Sequence, residues 1–368
     1  MLRSVANVLA IGCALATAGL SVGVLGSRTH AATRSAAGRV ARVAEPLVGQ
    51  PRTIAALGDS FNTGFAARPH SGDNPELSWS IGDDPAVGSM LRRLETLRPR
   101  LTIEGALVAK DGSKIADLPR QVARAADAGS DLLTIQSGGN DICAATTAEG
   151  ITPVDDFRQS VVDAFALLRE RLPNARILVT SLTDEARWND GSVDVAGNVD
   201  QLADGTVCDP QVDSNGRQSR ARRARIQAWE RSFNAVLRGV CATDLHCRYD
   251  GGAFFRLAYT ARDVAPTDAF HPSVHGLARF AAAAWRAGFD FTDQTAPVVS
   301  ATRRRTDQGL QVALAASDAA GAGIEYRIGG SSFATYTGPI SLGSGERVVY
   351  RAVDRNGNIS AAYAISAP

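Results

Sequence analysis

Apolar and polar positions follow two different periods along the chain. Between residues 52 and 292, short apolar runs typical of buried strands alternate with longer segments that have apolar residues at helical spacing. The predicted strands cover 53–57, 101–108, 132–136 and 177–180, and the predicted helices cover 85–97, 115–126, 154–172, 217–237 and 273–287. This alternation predicts an α/β domain whose parallel sheet is covered by helices on both faces.

The pattern changes at residues 293–297, where helical spacing ends. Beyond them, short alternating runs at 310–315, 324–328, 332–336 and 347–353 are separated by turn residues such as Gly329-Gly330 and Asn356-Gly357. These runs predict a small all-β sandwich over 297–368. The segment 352–358 resembles the final hairpin of bacterial immunoglobulin-like modules, which implies an immunoglobulin-like fold here.

The N-terminal segment has the organisation of a secretory signal peptide. Arg3 precedes an apolar stretch over residues 5–25, and Thr29 and Ala31 occupy the −3 and −1 positions of a cleavage site. We therefore predict a signal peptide over 1–31, a flexible leader over 32–51, and a secreted protein that is extracellular or cell-wall associated. The alternative is a retained membrane anchor, because the stretch is long enough to span a bilayer when tilted.

Four cysteines remain after residue 31: Cys143, Cys208, Cys241 and Cys247. An even number of cysteines in an exported chain predicts two disulfides. The close spacing of Cys241 and Cys247 favours a small clip between them, which leaves Cys143 to pair with Cys208. Four free thiols are the alternative, and a zinc site is disfavoured because no CxxC pair or paired histidine spacing occurs.

Composition limits the class of partner. The 368 residues have 45% apolar content and a formal net charge of +1, so nothing favours a nucleic-acid partner. One local basic cluster stands out at the start of the predicted helix 217–237: Arg217, Arg220, Arg222, Arg223 and Arg225. A solvated helix face is the simpler interpretation, and affinity for anionic lipid or a wall polymer is the alternative.

The candidate chemistry begins at Gly58-Asp59-Ser60-Phe61, directly after the first predicted strand. Ligands of open parallel sheets bind beyond the carboxyl ends of strands, so Ser60 is a candidate nucleophile. A serine nucleophile needs a base and a group that orients the base. His271 and Asp268 have a suitable spacing just before the last predicted helix. His275 competes with His271, but its predicted place on the helix favours a surface or packing role.

Hydrogen-bond donors for a developing oxyanion follow other strands. Gly112 comes after the second strand, and the side-chain amide of Asn140 comes after the third. Together with the backbone N–H of Ser60, they form a candidate oxyanion hole.

The ordered set Ser60, Gly112, Asn140 and His271 resembles the four sequence blocks of the SGNH, or GDSL, hydrolases over residues 52–293. The resemblance implies a flavodoxin-like three-layer α/β/α fold and hydrolysis of carboxylic esters through an acyl-enzyme, with no metal and no organic cofactor. Phe61 stands where leucine is commonest in that family. Lys110 and Asp111 also place unusual charge beside the oxyanion donors.

Three further segments, at 77–82, 117–121 and 139–143, resemble the phospholipase B-like branch of that family. This resemblance implies a lipid or small-molecule ester substrate and a monomeric enzyme. Two alternatives stay open: an acetyl esterase acting on polysaccharide with the same fold, and a non-catalytic cell-wall-associated binding protein whose β-sandwich contacts a wall or surface polymer.

Trp79 is a candidate for an acyl pocket or for ordinary core packing. Asp354 and Asn358 suggest a Ca²⁺ loop or, more simply, a hairpin turn.

Overall fold

The computed structural model describes residues 40–69, 72–145, 148–188, 208, 219–307 and 309–368. The predicted signal peptide, residues 32–39 of the predicted leader and Arg217 of the basic cluster lie outside the described residues. No helix within the described ranges combines the length and the apolar character needed to cross a membrane.

A parallel five-stranded sheet forms the centre of the first region. Its strands are β2 (Thr53–Gly58), β3 (Glu104–Leu107), β4 (Leu132–Gln136), β5 (Arg176–Val179) and β6 (Cys247–Tyr249). All neighbouring pairs are parallel, and the order is β3-β2-β4-β5-β6. This is the flavodoxin-like order. The order in which strands are added reverses beside β2, and a crevice forms there at the carboxyl ends of the strands.

Eight helices are described: α1 (Ser60–Thr63), α2 (Met90–Leu97), α3 (Leu118–Asp127), α4 (Gly139–Cys143), α5 (Val154–Arg171), α6 (Glu185–Trp188), α7 (Arg220–Cys241) and α8 (Val274–Ala287). Helices α3, α5 and α7 cover one face of the sheet, where Ala55 and Leu57 of β2 point. Helices α2 and α8 cover the other face, where Ile54 points. Burial on both faces explains why these strands lack a polar side in the sequence. The predicted α/β/α fold class is therefore confirmed.

Several element boundaries differ from the sequence prediction for local reasons. Helix α2 begins at Met90 and not at residue 85, because the Ser89 side chain accepts the Arg92 N–H at 3.2 Å and caps the helix there. Strand β6 was not predicted, since three residues are too few to show a period.

The C-terminal region is all-β, with two antiparallel sheets. Its strands are β7 (Val298–Thr306), β8 (Gly309–Ser317), β9 (Ala322–Ile328), β10 (Ala334–Thr335), β11 (Ile340–Leu342), β12 (Arg347–Asp354) and β13 (Ala362–Ser366). One sheet has the order β11-β8-β7, and the core between the sheets includes Val312, Leu342 and Val348. An all-β module agrees with the prediction, and its immunoglobulin-like assignment stays a prediction.

The second sheet takes a strand from the N-terminal side of the chain. Strand β1 (Ala41–Ala44) pairs antiparallel with β13, and the sheet order is β1-β13-β12-β9-β10. The prediction of a flexible leader over 32–51 therefore does not describe residues 41–44. The reason is tertiary, because an exposed sheet edge offers unpaired backbone groups to any extended segment that reaches it.

The two predicted disulfides are both present. Cys241, the last residue of α7, is bonded to Cys247 at the start of β6. Cys143, the last residue of α4, is bonded to Cys208, which is buried. The first bond joins a helix to the strand at the sheet edge, and the second joins Cys208 to the end of α4.

Candidate active site

The loop that carries Ser60 is fixed by a glycine that no other residue could replace. Gly58 ends β2 with φ of +125°, and a Cβ built there would lie 1.7 Å from the carbonyl oxygen of Gln136. The chain then turns sharply into α1, whose N-cap Asp59 accepts the Phe61 N–H at 3.1 Å. Ser60 is consequently the first residue of α1 and lies just beyond the carboxyl end of β2.

A continuous chain of hydrogen bonds joins the three predicted catalytic side chains. His271 Nε2 lies 2.8 Å from Ser60 Oγ, and His271 Nδ1 lies 2.6 Å from Asp268 Oδ2. Since Asp268 is ionised, Nδ1 carries the proton and Nε2 is left as the acceptor facing the serine hydroxyl. The arrangement can therefore take a proton from Ser60.

The Asp268 carboxylate is held in its charged form. Burial works to raise its pKa, but the hydrogen bond and charge of His271 outweigh it and lower the pKa below its ordinary value. The backbone N–H groups of Phe270 and His271 also donate to Oδ1, each at 3.0 Å. Asp268 therefore uses one oxygen to shape its own turn and the other to orient the imidazole.

Three phenylalanine rings surround the His271 imidazole. The centroids of Phe61, Phe65 and Phe270 lie 5.6, 4.8 and 5.1 Å from that of the imidazole. Phe61 is the residue that departs from the leucine of the resembled family, and its buried ring packs edge-on against the imidazole. These contacts restrict the rotation of His271 and keep water from most of its surface.

The predicted oxyanion donors are brought together unequally. Ser60 and Asn140 line the same small cavity, with Gln136 and Glu185 also in its wall. One N–H of the Asn140 amide donates to Ser113 O at 3.0 Å, which orients the amide and leaves its second N–H as a donor. Gly112 lies outside this cavity wall, on an exposed turn with φ of +71°. Its loop reaches the site through the Ser113–Asn140 bond.

Gln121 is a positioning residue whose role the sequence did not reveal. From α3, its amide oxygen accepts the Gly58 N–H at 2.7 Å, and its amide nitrogen donates to Gly58 O at 2.9 Å. The side chain therefore replaces a missing strand neighbour for Gly58. It belongs to the segment 117–121 that resembles phospholipase B, but only the fold shows what it contacts.

A group of buried carboxyl groups beside Ser60 was also missed. Burial raises the pKa of Asp59 to about 7 and that of Glu185 to about 8, and the two carboxyl groups repel each other when both are charged. Glu230 of α7 joins them, because its Oε1 accepts the Glu185 N–H at 2.9 Å, and burial also raises its pKa well above the ordinary value. No sequence signal could identify the group, since its members come from residues 59, 185 and 230.

Other candidates from the sequence lie elsewhere. His275 is exposed on α8 and its Nδ1 lies 2.8 Å from Asp263 Oδ1, so it does not face Ser60. Trp79 is fully buried and packs edge-on against Phe254, as expected for a core residue. Asp354 Oδ1 accepts the N–H groups of Asn356 and Asn358, which is the geometry of a hairpin turn.

A Ser–His–Asp hydrogen-bonded chain at the carboxyl end of a parallel strand is the arrangement of a serine hydrolase. Residues 56–279, more than half of the chain, match the GDSL-like lipase/acylhydrolase family. The chain belongs to that family.

Individual relatives are more distant. The human membrane-associated phospholipase B1 is 29% identical over 168 residues, which cover 38% of this chain. The chain spans only 12% of the length of that relative. An acetylxylan esterase from Geobacillus stearothermophilus is 16% identical with a TM-score of 0.42, over 67% of this chain and 99% of the other. The extracellular lipase of Streptomyces rimosus is 17% identical with a TM-score of 0.41, over 64% and 99%.

Proposed function

We propose that the protein is a secreted carboxylic ester hydrolase that works through an acyl-enzyme on Ser60. The observation that carries the proposal is the unbroken hydrogen-bonded chain from Asp268 through His271 to Ser60 Oγ. Family membership supports the same reaction class. The predicted division into a hydrolase domain over 52–293 and an accessory module over 297–368 is part of the proposal.

The first half of the reaction forms the acyl-enzyme. His271 Nε2 takes the Ser60 proton as Oγ attacks the ester carbonyl carbon, and the carbonyl oxygen becomes an oxyanion. In this proposal the Ser60 N–H and the second N–H of Asn140 donate to this oxygen, and Gly112, which lies outside the cavity wall, stays the predicted third donor. The tetrahedral intermediate collapses, and the leaving alcohol takes the proton from His271.

The second half returns the enzyme to its starting state. Water gives a proton to His271 Nε2 and attacks the acyl carbon, and the same donors hold the new oxyanion. Collapse breaks the Ser60 ester bond, releases the carboxylic acid, and returns the proton to Ser60 Oγ. Asp268 stays ionised throughout and stabilises the imidazolium.

Covalent labelling tests the nucleophile. A fluorescent fluorophosphonate should label the wild-type protein and the Ser160→Ala control, in which a serine on α5 is replaced, but not Ser60→Ala. Equal labelling of Ser60→Ala, or no labelling of the wild type, would overturn the proposal and would favour the non-catalytic binding protein.

For the substrate class, we place lipid esters first. The phospholipase B-like segments and the similarity to phospholipase B1 support this choice. The small cavity beside Ser60 favours a second candidate with a short acyl group, such as an acetylated polysaccharide. Fatty-acid release from phosphatidylcholine compared with acetate release from acetylxylan distinguishes the two, because the preferred class should have the higher kcat/KM by at least about tenfold.

Export can be tested on the protein recovered from culture. A mature chain that begins at Ala32 in the medium or the wall fraction is expected. A chain that retains residues 1–31 in the membrane fraction would instead identify an anchor. The two disulfides are compatible with an oxidising compartment.

A further inference from the structure

A groove of about 710 Å³ beside α6 is lined by arginines from separate parts of the chain. Its wall includes Arg187 of α6 and three arginines of α7, namely Arg220, Arg223 and Arg231. The fifth arginine, Arg256, lies in the segment between β6 and α8. We call this feature the arginine groove. Three of its five arginines come from α7, and the other two come from α6 and from the segment after β6, so it is not simply one face of a basic helix.

The described wall of the arginine groove has an excess of positive charge. Among these described residues the acidic one is Asp184, and one Asp184 oxygen accepts from Gln227 Nε2 at 2.8 Å. Among the residues that the structure describes, Arg187, Arg220, Arg231 and Arg256 form no ion pair with a carboxylate within 4.0 Å. Gathering several cations around one described carboxylate costs electrostatic free energy, which an anionic ligand would recover.

The arginine groove shares a wall with the Ser60 cavity. Glu185 lines the cavity with Ser60 and Asn140, whereas its immediate neighbours Asp184 and Ala186 line the groove. Consecutive Cα atoms are about 3.8 Å apart, so the two spaces adjoin the same short segment. A phosphorylated substrate could therefore occupy both spaces by extending around this segment.

The type of cation indicates the type of anion. Guanidinium groups present several N–H donors in a plane, and arginine clusters suit tetrahedral oxyanions that accept from more than one donor at once. Some of the donors are already oriented: Arg231 Nη2 donates to Gln227 Oε1 at 2.7 Å and its guanidinium lies over the Phe255 ring, while Arg256 Nη1 donates to Gly251 O at 2.7 Å. Such tethering reduces the entropy lost when an anion binds.

We propose that the arginine groove is a phosphate-binding site that holds a phosphorylated alcohol portion of the substrate beside Ser60. The inference rests on the proposed ester hydrolase function and adds a subsite to it. It also revises the interpretation of the basic cluster: Arg220 and Arg223 line the groove, whereas Arg222 and Arg225 do not.

Direct binding tests the site without requiring turnover. Glycerol 3-phosphate is titrated calorimetrically, at one fixed salt concentration, into Ser60→Ala protein as the reference. The same titration is made with Ser60→Ala protein that also has one of two double substitutions. R220Q/R231Q removes two groove arginines, and R225Q/R238Q removes two exposed arginines of the same helix that lie outside the groove. We expect Kd to rise at least about tenfold in the first variant and to stay unchanged in the second, because hydrogen bonds to charged groups are strong.

A second arm identifies the source of the phosphate. Hydrolysis of phosphatidylglycerol and of neutral diacylglycerol in Triton X-100 mixed micelles is measured for wild type and for both double variants. Inorganic phosphate is titrated in parallel with glycerol 3-phosphate. R220Q/R231Q should lower the ratio of kcat/KM for phosphatidylglycerol to that for diacylglycerol about tenfold. Tight binding of inorganic phosphate with an unchanged ratio would show a free-phosphate site and overturn the substrate role.

The outcomes separate the two proposals. Equal Kd values in both double variants, or no binding of glycerol 3-phosphate, overturn the arginine groove while leaving ester hydrolysis intact. If wild type binds glycerol 3-phosphate through the groove arginines but hydrolyses none of the esters, the phosphate site stands and the proposed hydrolase function fails.

Discussion

At the scale of single residues, the geometry around Ser60 depends on side chains that never touch a substrate. Gly58 allows β2 to pass within van der Waals contact of Gln136, and Gln121 satisfies both backbone groups of Gly58. A buried backbone group without a partner costs about 1–3 kcal/mol, so this single side chain secures the turn that presents the nucleophile.

Gln121→Leu tests this role. The substitution leaves the Gly58 N–H unpaired, while Gly58 O keeps the Lys110 N–H at 3.1 Å, so we expect the free energy of unfolding to fall by about 1–3 kcal/mol. We also expect kcat to fall more than KM rises, because the loop holds the nucleophile. Chemical denaturation and steady-state kinetics measure the two effects. Arg124→Leu, an exposed change on the same helix, is the control, and equal behaviour of both variants would contradict the role.

Asp268→Asn isolates the orienting function of the carboxylate. Asparagine retains an oxygen for the two backbone N–H groups, but its amide nitrogen would face His271 Nδ1 and favour the tautomer with the proton on Nε2. In triads of this kind the loss of kcat is about 10⁴-fold. A loss below tenfold, measured on any ester that the wild type hydrolyses, would show that Asp268 does not orient the base.

At the scale of elements, the all-β module is joined to the α/β region by buried polar contacts. Arg176 of β5 donates to Gly49 O at 2.7 Å and to Asn358 Oδ1 at 3.1 Å. In a second contact, Glu325 of β9 lies against His246 Nε2 at 3.2 Å and pairs with Arg351 of β12. The module is consequently held at several points, and β1 adds a strand to it from the other end of the chain.

Glu325→Gln tests how strongly the junction depends on this charge. The Arg351 guanidinium would stay buried without its counter-ion, and removing one partner of a buried pair costs about 3–5 kcal/mol. Glu346→Gln changes an exposed glutamate of the same module and should cost less than about 0.5 kcal/mol. Denaturant unfolding measures both, and a similar small loss in the two variants would mean that the buried pair contributes little.

The extent to which elements were predictable follows from their length. Helix α5 shows five turns of apolar spacing, and β4 is a fully buried run, so both were predicted within about two residues of their observed limits. Strands β1 and β6 are too short to show a period and exist because a sheet edge was available.

At the scale of the whole molecule, the net charge of +1 conceals local imbalances of both signs. The acidic group of Asp59, Glu185 and Glu230 and the arginine groove both adjoin α6. Both groups are built from residues remote in sequence, and both lie next to the Ser60 cavity.

The buried acids predict that stability falls as pH rises. Burial raises the pKa of Asp59 from 3.8 to about 7 and that of Glu185 from 4.5 to about 8. In the unfolded chain these groups lose their protons at the lower, ordinary pKa values. Between about pH 4 and pH 8 the folded state therefore binds more protons, so the free energy of unfolding decreases with rising pH. Their contribution is fully present below pH 4 and lost above pH 8.

Glu185→Gln should flatten this dependence, because the amide does not titrate. We expect the decrease in Tm between pH 5 and pH 9 to be smaller in this variant than in wild type. Glu170→Gln, an exposed change on α5, should retain the wild-type slope. Parallel slopes for wild type and Glu185→Gln in thermal scans at several pH values would contradict the assignment.

The sequence by itself determined the alternation of strands and helices, the all-β C-terminal region, the close spacing of Cys241 and Cys247, and the order of Ser60, Gly112, Asn140 and His271. These features depend on periodicity and on neighbours a few residues apart, which a linear sequence records directly. Only the tertiary structure decided that Gln121 clamps Gly58, that β1 completes the distant sheet, and that acids and arginines gather beside α6. Burial and electrostatic proximity are properties of contacts between residues that are far apart along the chain, so they exist only once the chain is folded.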